Sequence, residues 1–274
     1  MIQKKTQELL EEAIEILREQ NPMTVRQLYY QLVSRQVIKN NQSRYNAVSR
    51  LMAYARKNGI VPWNWMEDRL RKPRAVSMWD GLEDFAGTAV RAYRLNVWAT
   101  QPEYFEAWLE KDALSGIFED ALRPYGVTLN VGRGYDGWDS IHNAAERYKD
   151  EEYVTILYFG DFDPSGEDMA RSLSDRIHEL GCDNFELVKC ALTLEDVEKY
   201  NLPTDFTKKT DTRRKKFIKK YGDVSVELDA LPANVLRSRL ISEIENKMDL
   251  QALDEIRREE SYDKDEIYKA LNAL

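Results

Sequence analysis

The chain has only two histidines in 274 residues, His142 and His178, and that scarcity sets the first boundary on its chemistry. A zinc hydrolase needs histidine or cysteine ligands, and a serine triad needs a histidine base behind a G-x-S-x-G elbow, which does not occur. Cysteine is equally scarce. Cys182 and Cys190 have neither disulfide-framework nor metal-ligand spacing, so reduced thiols in a cytoplasmic protein are expected. No apolar run nears the roughly 20 residues of a membrane span, and the opening MIQKKTQELLEEAIEILREQ reads as an amphipathic helix rather than a signal peptide. Internal repeats and low-complexity linkers are missing as well. What remains is a soluble globular composition, 43% hydrophobic and 32% charged, with length enough for two ordinary cores.

Charge is abundant but unevenly placed. The chain carries a formal −8, yet between Asn21 and Ala75 eleven Lys and Arg stand against two acids, Glu67 and Asp68. A second basic run, KKTDTRRKKFIKK, spans Lys208 to Lys220. Segregated charge of this kind suits nucleic acid despite an acidic total, although solvated helix faces would look the same.

The periodicity predicts a helix near Gln3–Gln20, a second opened by Thr24 over VRQLYYQLVSRQ, and a third capped by Ser43 over RYNAVSRLMAYARKN. IVPWNWMEDRLRKP then reads as short extended strands. Three helices and a wing make a winged helix-turn-helix domain over residues 1–78. A helical connector is expected over 79–100. From residue 101 the strand candidates YFEAWLE, VTLNVGR, YVTILYFGD and FELVKCA alternate with helices, which predicts a parallel-sheet α/β domain running to 274 with a helical tail. The whole is α/β, or α+β when both domains are counted.

In the second helix Val25, Leu28, Tyr29, Leu32 and Val33 fall on one apolar stripe, so Tyr29 is expected in the core. Tyr30 falls with Gln27, Gln31 and Ser34 on the polar side, where it is expected to be exposed. Arg26 stands one turn earlier and can reach its phenol or a nearby phosphate. A phenol with a pKa of about 10 needs a cation, base or metal-bound phosphate to become a nucleophile. Exposed helical tyrosines are common, so the pair is informative only in company.

VTILYFG has the unbroken apolarity of a buried parallel strand and delivers Asp161 and Asp163 at its carboxyl end. Residues two apart in extended chain project to one side, toward a shared cation, although Asp163 has the plainer alternative of capping the helix opened by Pro164. Glu110 ends the strand YFEAWLE at the same sheet edge. Asp112, two residues on, reads more simply as a helix cap than as an outer partner. Three carboxylates without histidine or cysteine form a hard oxygen site for Mg²⁺ or Mn²⁺, the ions of phosphodiester chemistry.

Together VRQLYYQLV, WLEKDAL and DFDPSG, in that order, resemble the signature regions of the DNA-cleaving subunit of topoisomerase VI and of the related meiotic double-strand-break transesterase. The likeness covers about Thr24 to Leu231 and is specific only at those segments. It implies a winged helix joined to a Toprim domain, with Tyr30 as nucleophile, Arg26 as the motif arginine, Glu110 as the acid of the E-K-x-A turn, and Asp161 and Asp163 as metal ligands with Glu110. It further implies double-stranded DNA as substrate, a 5′-phosphotyrosyl intermediate, and a homodimer in which the tyrosine of one protomer meets the metal site of the other. Arg44, Arg50, Arg56 and Lys57 of the third helix, with Arg26, would contact DNA. The protein would then be cytoplasmic and nucleoid-associated, with no membrane partner. The chain has no GHKL-type ATPase region, so any ATPase would be a separate polypeptide. KKTDTRR and VELDALP also resemble uncharacterised bacterial and phage Toprim proteins, without assigning a role to Glu227 or Asp229. Two rivals stand beside transesterification: a hydrolytic Toprim nuclease, as in Wadjet-type plasmid defence, and a non-catalytic DNA-binding protein.

Overall fold

The computed structural model describes residues 4–66, 76–132, 137–207 and 210–272. It is a mixed α/β structure built on one parallel sheet. Helices α1 (Lys4–Gln20), α2 (Val25–Ser34) and α3 (Gln42–Lys57) come first, followed by α4 (Leu82–Ala92). The sheet holds β1 (Tyr104–Leu109), β2 (Thr128–Val131), β3 (Val154–Phe159) and β4 (Phe185–Ala191). Between them lie α5 (Ser115–Leu122), α6 (Trp138–Tyr148) and α7 (Pro164–Glu179); α8 (Leu194–Lys199), α9 (Arg214–Tyr221), α10 (Ala233–Glu245) and α11 (Leu250–Asn272) follow. No helix among the described residues is long and apolar enough to cross a membrane.

The expected alternation of strand and helix is present. The strands pair in the order β2-β1-β3-β4, all parallel. From β1 the chain steps outward to β2 and returns to β3 on the other side of β1. The carboxyl ends of β1 and β3 are therefore neighbours at the point where strand order reverses, the usual place for a site in an open α/β sheet. Glu110 and Asp161 lie just past those two ends.

Side chains alternate across the sheet, so each strand feeds two cores. Phe105, Ala107, Leu109, Leu157 and Phe159 join α5 and α10 in a cluster that continues without a break into α1, α2 and α3. Tyr104, Trp108, Ile156 and Tyr158 face the other way, against α6 and α7. Glu106 shares that second face although it is wholly buried. Its carboxylate accepts hydrogen bonds from Arg147 Nε (2.6 Å), Tyr148 (2.8 Å) and Asn130 (2.6 Å), which is what a buried charge requires.

The amino-terminal helices depart from expectation in detail. Asn41, not Ser43, caps α3, accepting from the Arg44 N–H at 3.0 Å. Thr24 and Gln27 form a reciprocal capping box on α2. The segment expected as wing strands holds a 3₁₀ turn at Trp63–Trp65 and a single parallel bridge between Met23 and Met66. The Trp65 N–H donates to the Pro62 carbonyl at 3.2 Å and closes that turn. Residues 67–75, the remainder of the expected wing, lie outside the described residues.

Candidate active site

The carboxyl end of β3 is shaped by two glycines. A Cβ on Gly160 would lie 2.7 Å from Glu110 Oε2, and one on Gly166 would lie 2.3 Å from the Asp161 carbonyl oxygen. The Gly166 contact is with backbone, so the turn at Asp161 and Asp163 closes as it does only because that position lacks a side chain, whereas Gly160 leaves room for the side-chain ends of Glu110 and Tyr158.

Glu110, from the end of β1, reaches this turn at Asp161, while Asp163 faces the helix that follows. Glu110 Oε2 accepts the Asp161 backbone N–H at 2.9 Å. Asp163 caps α7, its Oδ1 accepting from Gly166 N–H at 2.7 Å. That cap is the plain role considered for Asp163 in the sequence, and it is realised. Burial, followed by the charge of Asp161 and reinforced by that of Asp163, pushes the Glu110 carboxyl up to about 7. Burial also raises Asp161, in spite of the lysine beside it.

That lysine is Lys111. Its Nζ lies 3.0 Å from Asp161 Oδ1, 2.9 Å from Glu227 Oε2 and 2.9 Å from Asp229 Oδ2. Burial alone would lower its ammonium, but Asp229, Asp161 and Glu227 outweigh it and hold the group above the usual lysine range. Asp229 is 1 % exposed. It meets Lys111 by charge, yet neither of its oxygens receives a well-aligned hydrogen bond. Sequence reasoning assigns no role to Lys111, Glu227 or Asp229. An E-x-D pair, spaced like D-F-D, is the signal that could have found the two acids.

Backbone pairing explains how a segment 64 residues downstream of Phe162 reaches this place. Phe162 and Val226 exchange N–H···O bonds of 2.9 and 3.0 Å, and Asp205 and Ser225 extend the pairing. The strap then turns through a 3₁₀ segment, Leu228–Ala230, whose first N–H donates to Asp161 Oδ1 at 2.7 Å. The same turn packs on α2.

This packing corrects the expectation for Tyr30. The residue is 8 % exposed rather than solvent-facing, and Gln27 and Gln31 beside it are buried as well. The polar stripe of α2 is covered by the strap, a contact that helical periodicity cannot foresee. Tyr29 is core as expected, its hydroxyl donating to Asn40 Oδ1 at 2.8 Å. The Tyr30 hydroxyl faces the Glu227 carboxylate and the Arg26 guanidinium, both of which act on its ionisation. Arg26 also reaches Glu227, 3.0 Å from Oε2. Burial and the Glu227 charge raise the Tyr30 phenol, against the pull of Arg26 and Lys111. Glu227 is held low by Lys111, Arg26 and Tyr30 although burial opposes them. One edge of the phenol borders an open cleft of about 420 Å³, lined also by Arg26, Tyr29, Asn41, Tyr45 and Asp205.

Tyr30 thus meets the acidic cluster of its own chain. The cluster's donor chemistry suits a hard divalent cation, and the like charges crowding Glu110 are what such an ion relieves. Among the described residues, however, no three His, Cys, Asp or Glu side chains converge as a ready-made metal cage. Asp161 is turned to Lys111, and Asp163 to its helix. On α3, Arg44, Arg50 and Lys57 are exposed opposite the buried Val48, Leu51, Met52 and Ala55, while Arg56 is half-buried, 5.1 Å over the Trp63 ring. A scan against family models matched none, and a search of the curated proteins found no match.

Proposed function

We infer that this protein cleaves DNA by transesterification, with Tyr30 as nucleophile at a Toprim-like acidic site. One observation carries the reading: Tyr30 and Asp161, 131 residues apart in sequence, are joined through Glu227 and Lys111 at the sheet's switch point. An isolated exposed tyrosine would have no such company.

Glu110, Asp161 and Asp163 would hold Mg²⁺ or Mn²⁺, which when bound neutralises charge on the scissile phosphate. The chain's own residues supply the rest. Arg26, half-exposed at the cleft, orients a phosphate near the phenol. Glu227, which faces the Tyr30 hydroxyl, accepts its proton as Oη bonds to phosphorus. The P–O3′ bond breaks, the 3′-oxygen takes a proton from water, and the 5′-phosphate stays on the tyrosine. No electrons are gained or lost, so the ester is available for religation. One phenol per chain cuts one strand, and a double-strand break needs a homodimer. Arg44, Arg50, Arg56 and Lys57 would hold the duplex through its phosphates.

Burial of Tyr30 and the upward push on its phenol favour a second reading, hydrolysis by water at the same acids. Incubation with supercoiled DNA and Mg²⁺ or Mn²⁺, stopped with detergent and run before and after protease, separates the two. Linear DNA that enters the gel only after digestion, and is lost in Tyr30→Phe, supports transesterification. Undiminished cutting by Tyr30→Phe leaves hydrolysis. No cutting by the wild-type protein, with duplex binding intact, leaves a DNA-binding protein.

A further inference from the structure

The basic run from Lys208 to Lys220 is not used by the chemistry above, and its described part is built in an unusual way. Helix α9 is pinned through Phe217 and Tyr221, whose rings lie 5.3 and 5.2 Å from that of Phe162 and 5.0 Å from each other. Phe162 is the residue between Asp161 and Asp163. The helix is therefore fixed on the centre of the acidic turn, and Tyr221 tightens it by donating to Glu167 Oε2 at 3.1 Å.

The charges of the run divide into two groups. Arg213 is held by Asp211 and Asp168 at 2.9 and 3.0 Å, and Arg214 by Asp223 at 2.5 Å. These arginines anchor the helix. Lys215, Lys216, Lys219 and Lys220 are exposed, and none forms an ion pair with a carboxylate among the described residues. They form two i,i+4 columns: Lys215 with Lys219 lies opposite Phe217 on the helix, while Lys216 with Lys220 borders the aromatic edge, the Lys220 ammonium standing 4.6 Å from the Tyr221 ring centroid. Like charges at that spacing repel and weaken a short helix. In a chain with 48 acidic residues, four exposed lysines without a carboxylate ion pair on one eight-residue helix form a face suited to an external anion. Lys216 and Lys220 also border a groove with Pro164, Glu167, Asp168 and Arg171 at the start of α7, which brings this lysine column near the turn carrying Asp163.

We propose that the lysine face of α9 binds the phosphate backbone of duplex DNA, holding the strand beside the acidic turn. The proposal rests on the reading of the protein as DNA-cleaving, and it adds a contact surface that this reading does not require. The lysines act on phosphates, without base specificity.

The test is binding of a fluorescein-labelled 30-base-pair duplex, followed by anisotropy over a salt series without divalent metal. Wild type is compared with K215Q/K216Q/K219Q/K220Q and with K4Q/K5Q/K149Q/K269Q, which lowers net charge equally at exposed positions elsewhere. Each lost phosphate contact removes about 0.9 from the slope of log K against log salt. The α9 variant is expected to bind at least ~10-fold more weakly with a slope shallower by about 2 to 4, and the control variant to match wild type. K215E/K219E, which alters only the column remote from Phe217, should weaken binding in the same direction and guards against loss of fold, checked by circular dichroism. Equal affinity and slope for wild type and both α9 variants overturns the α9 surface while leaving the cleavage reading intact. No duplex binding by wild type overturns both, and a preference for single-stranded RNA of equal length overturns duplex DNA as the partner.

Discussion

Lys111 Nζ stands 3.0 Å from Asp161 Oδ1, so the carboxylate best placed at the end of β3 already has a cation beside it. The lysine is shared with Glu227 and with Asp229, whose side chain is out of solvent. Breaking a buried ion pair from one side leaves the other charge uncompensated, at a cost of about 3–5 kcal/mol. Lys111→Met is therefore expected to lower unfolding free energy by about that amount. Urea denaturation at neutral pH measures it, and a loss below ~1 kcal/mol would mean that the three acids do not depend on the lysine.

The same crowding predicts a response to metal that needs no catalysis. A ligand at 100 times its dissociation constant stabilises by about 2.7 kcal/mol, seen as a rise in melting temperature. Mg²⁺ or Mn²⁺ should raise the melting temperature of wild type, and Asp161→Asn or Glu110→Gln should abolish the rise. An equal rise in wild type and both variants would place the ion elsewhere.

Tyr30 and Glu227 are tested as a pair. Tyr30→Phe removes one polar contact while Glu227 keeps Lys111 and Arg26, so a stability loss of at most about 1 kcal/mol is expected. Cleavage should fall far more than stability does. Glu227→Gln keeps the shape but weakens proton acceptance, and should slow adduct formation by about 10²-fold or more. Adduct formation at the wild-type rate in Glu227→Gln would remove Glu227 from the chemistry.

Acid stability has a separate origin in Asp196. Burial would raise this carboxyl, but Arg239, bonded to it by NH1 and NH2 at 2.7 and 2.5 Å, lowers it below the usual range. A carboxyl lowered on folding stabilises fully above its unfolded value near 4, and the gain is lost as pH falls through the lower folded value. Asp196→Asn should flatten the fall in stability below about pH 4, measured as melting temperature between pH 7 and pH 3. An unchanged acid limb would contradict the assignment.

Gly166 offers a purely steric check. Its α-hydrogen faces the Asp161 carbonyl where a methyl would sit at 2.3 Å, so Gly166→Ala should destabilise by about 1–3 kcal/mol and weaken metal-dependent stabilisation. Alanine tolerated without loss would show that the turn has slack.

The parts of this picture legible in sequence are those fixed by local chemistry. VTILYF can only be a buried strand, and Glu110 and Asp161 follow from where two such strands end. Pro164 and Asp163 announce the start of α7. Tyr30 shows the limit: the 3.6-residue period places it correctly on α2, but its burial depends on Leu228–Ala230, nearly 200 residues away. Lys111, Glu227 and Asp229 are hidden for the same reason, since a lysine beside a strand end and an acidic strap look like ordinary surface until the Phe162–Val226 pairing joins them.

That pairing also constrains length. Val226 fixes the strap to the β3 turn, and successive side chains point to opposite faces, so Glu227 reaches the phenol by count as well as by kind. Inserting one residue on either side of Glu227 would turn a different side chain toward Tyr30 and swing the acid away.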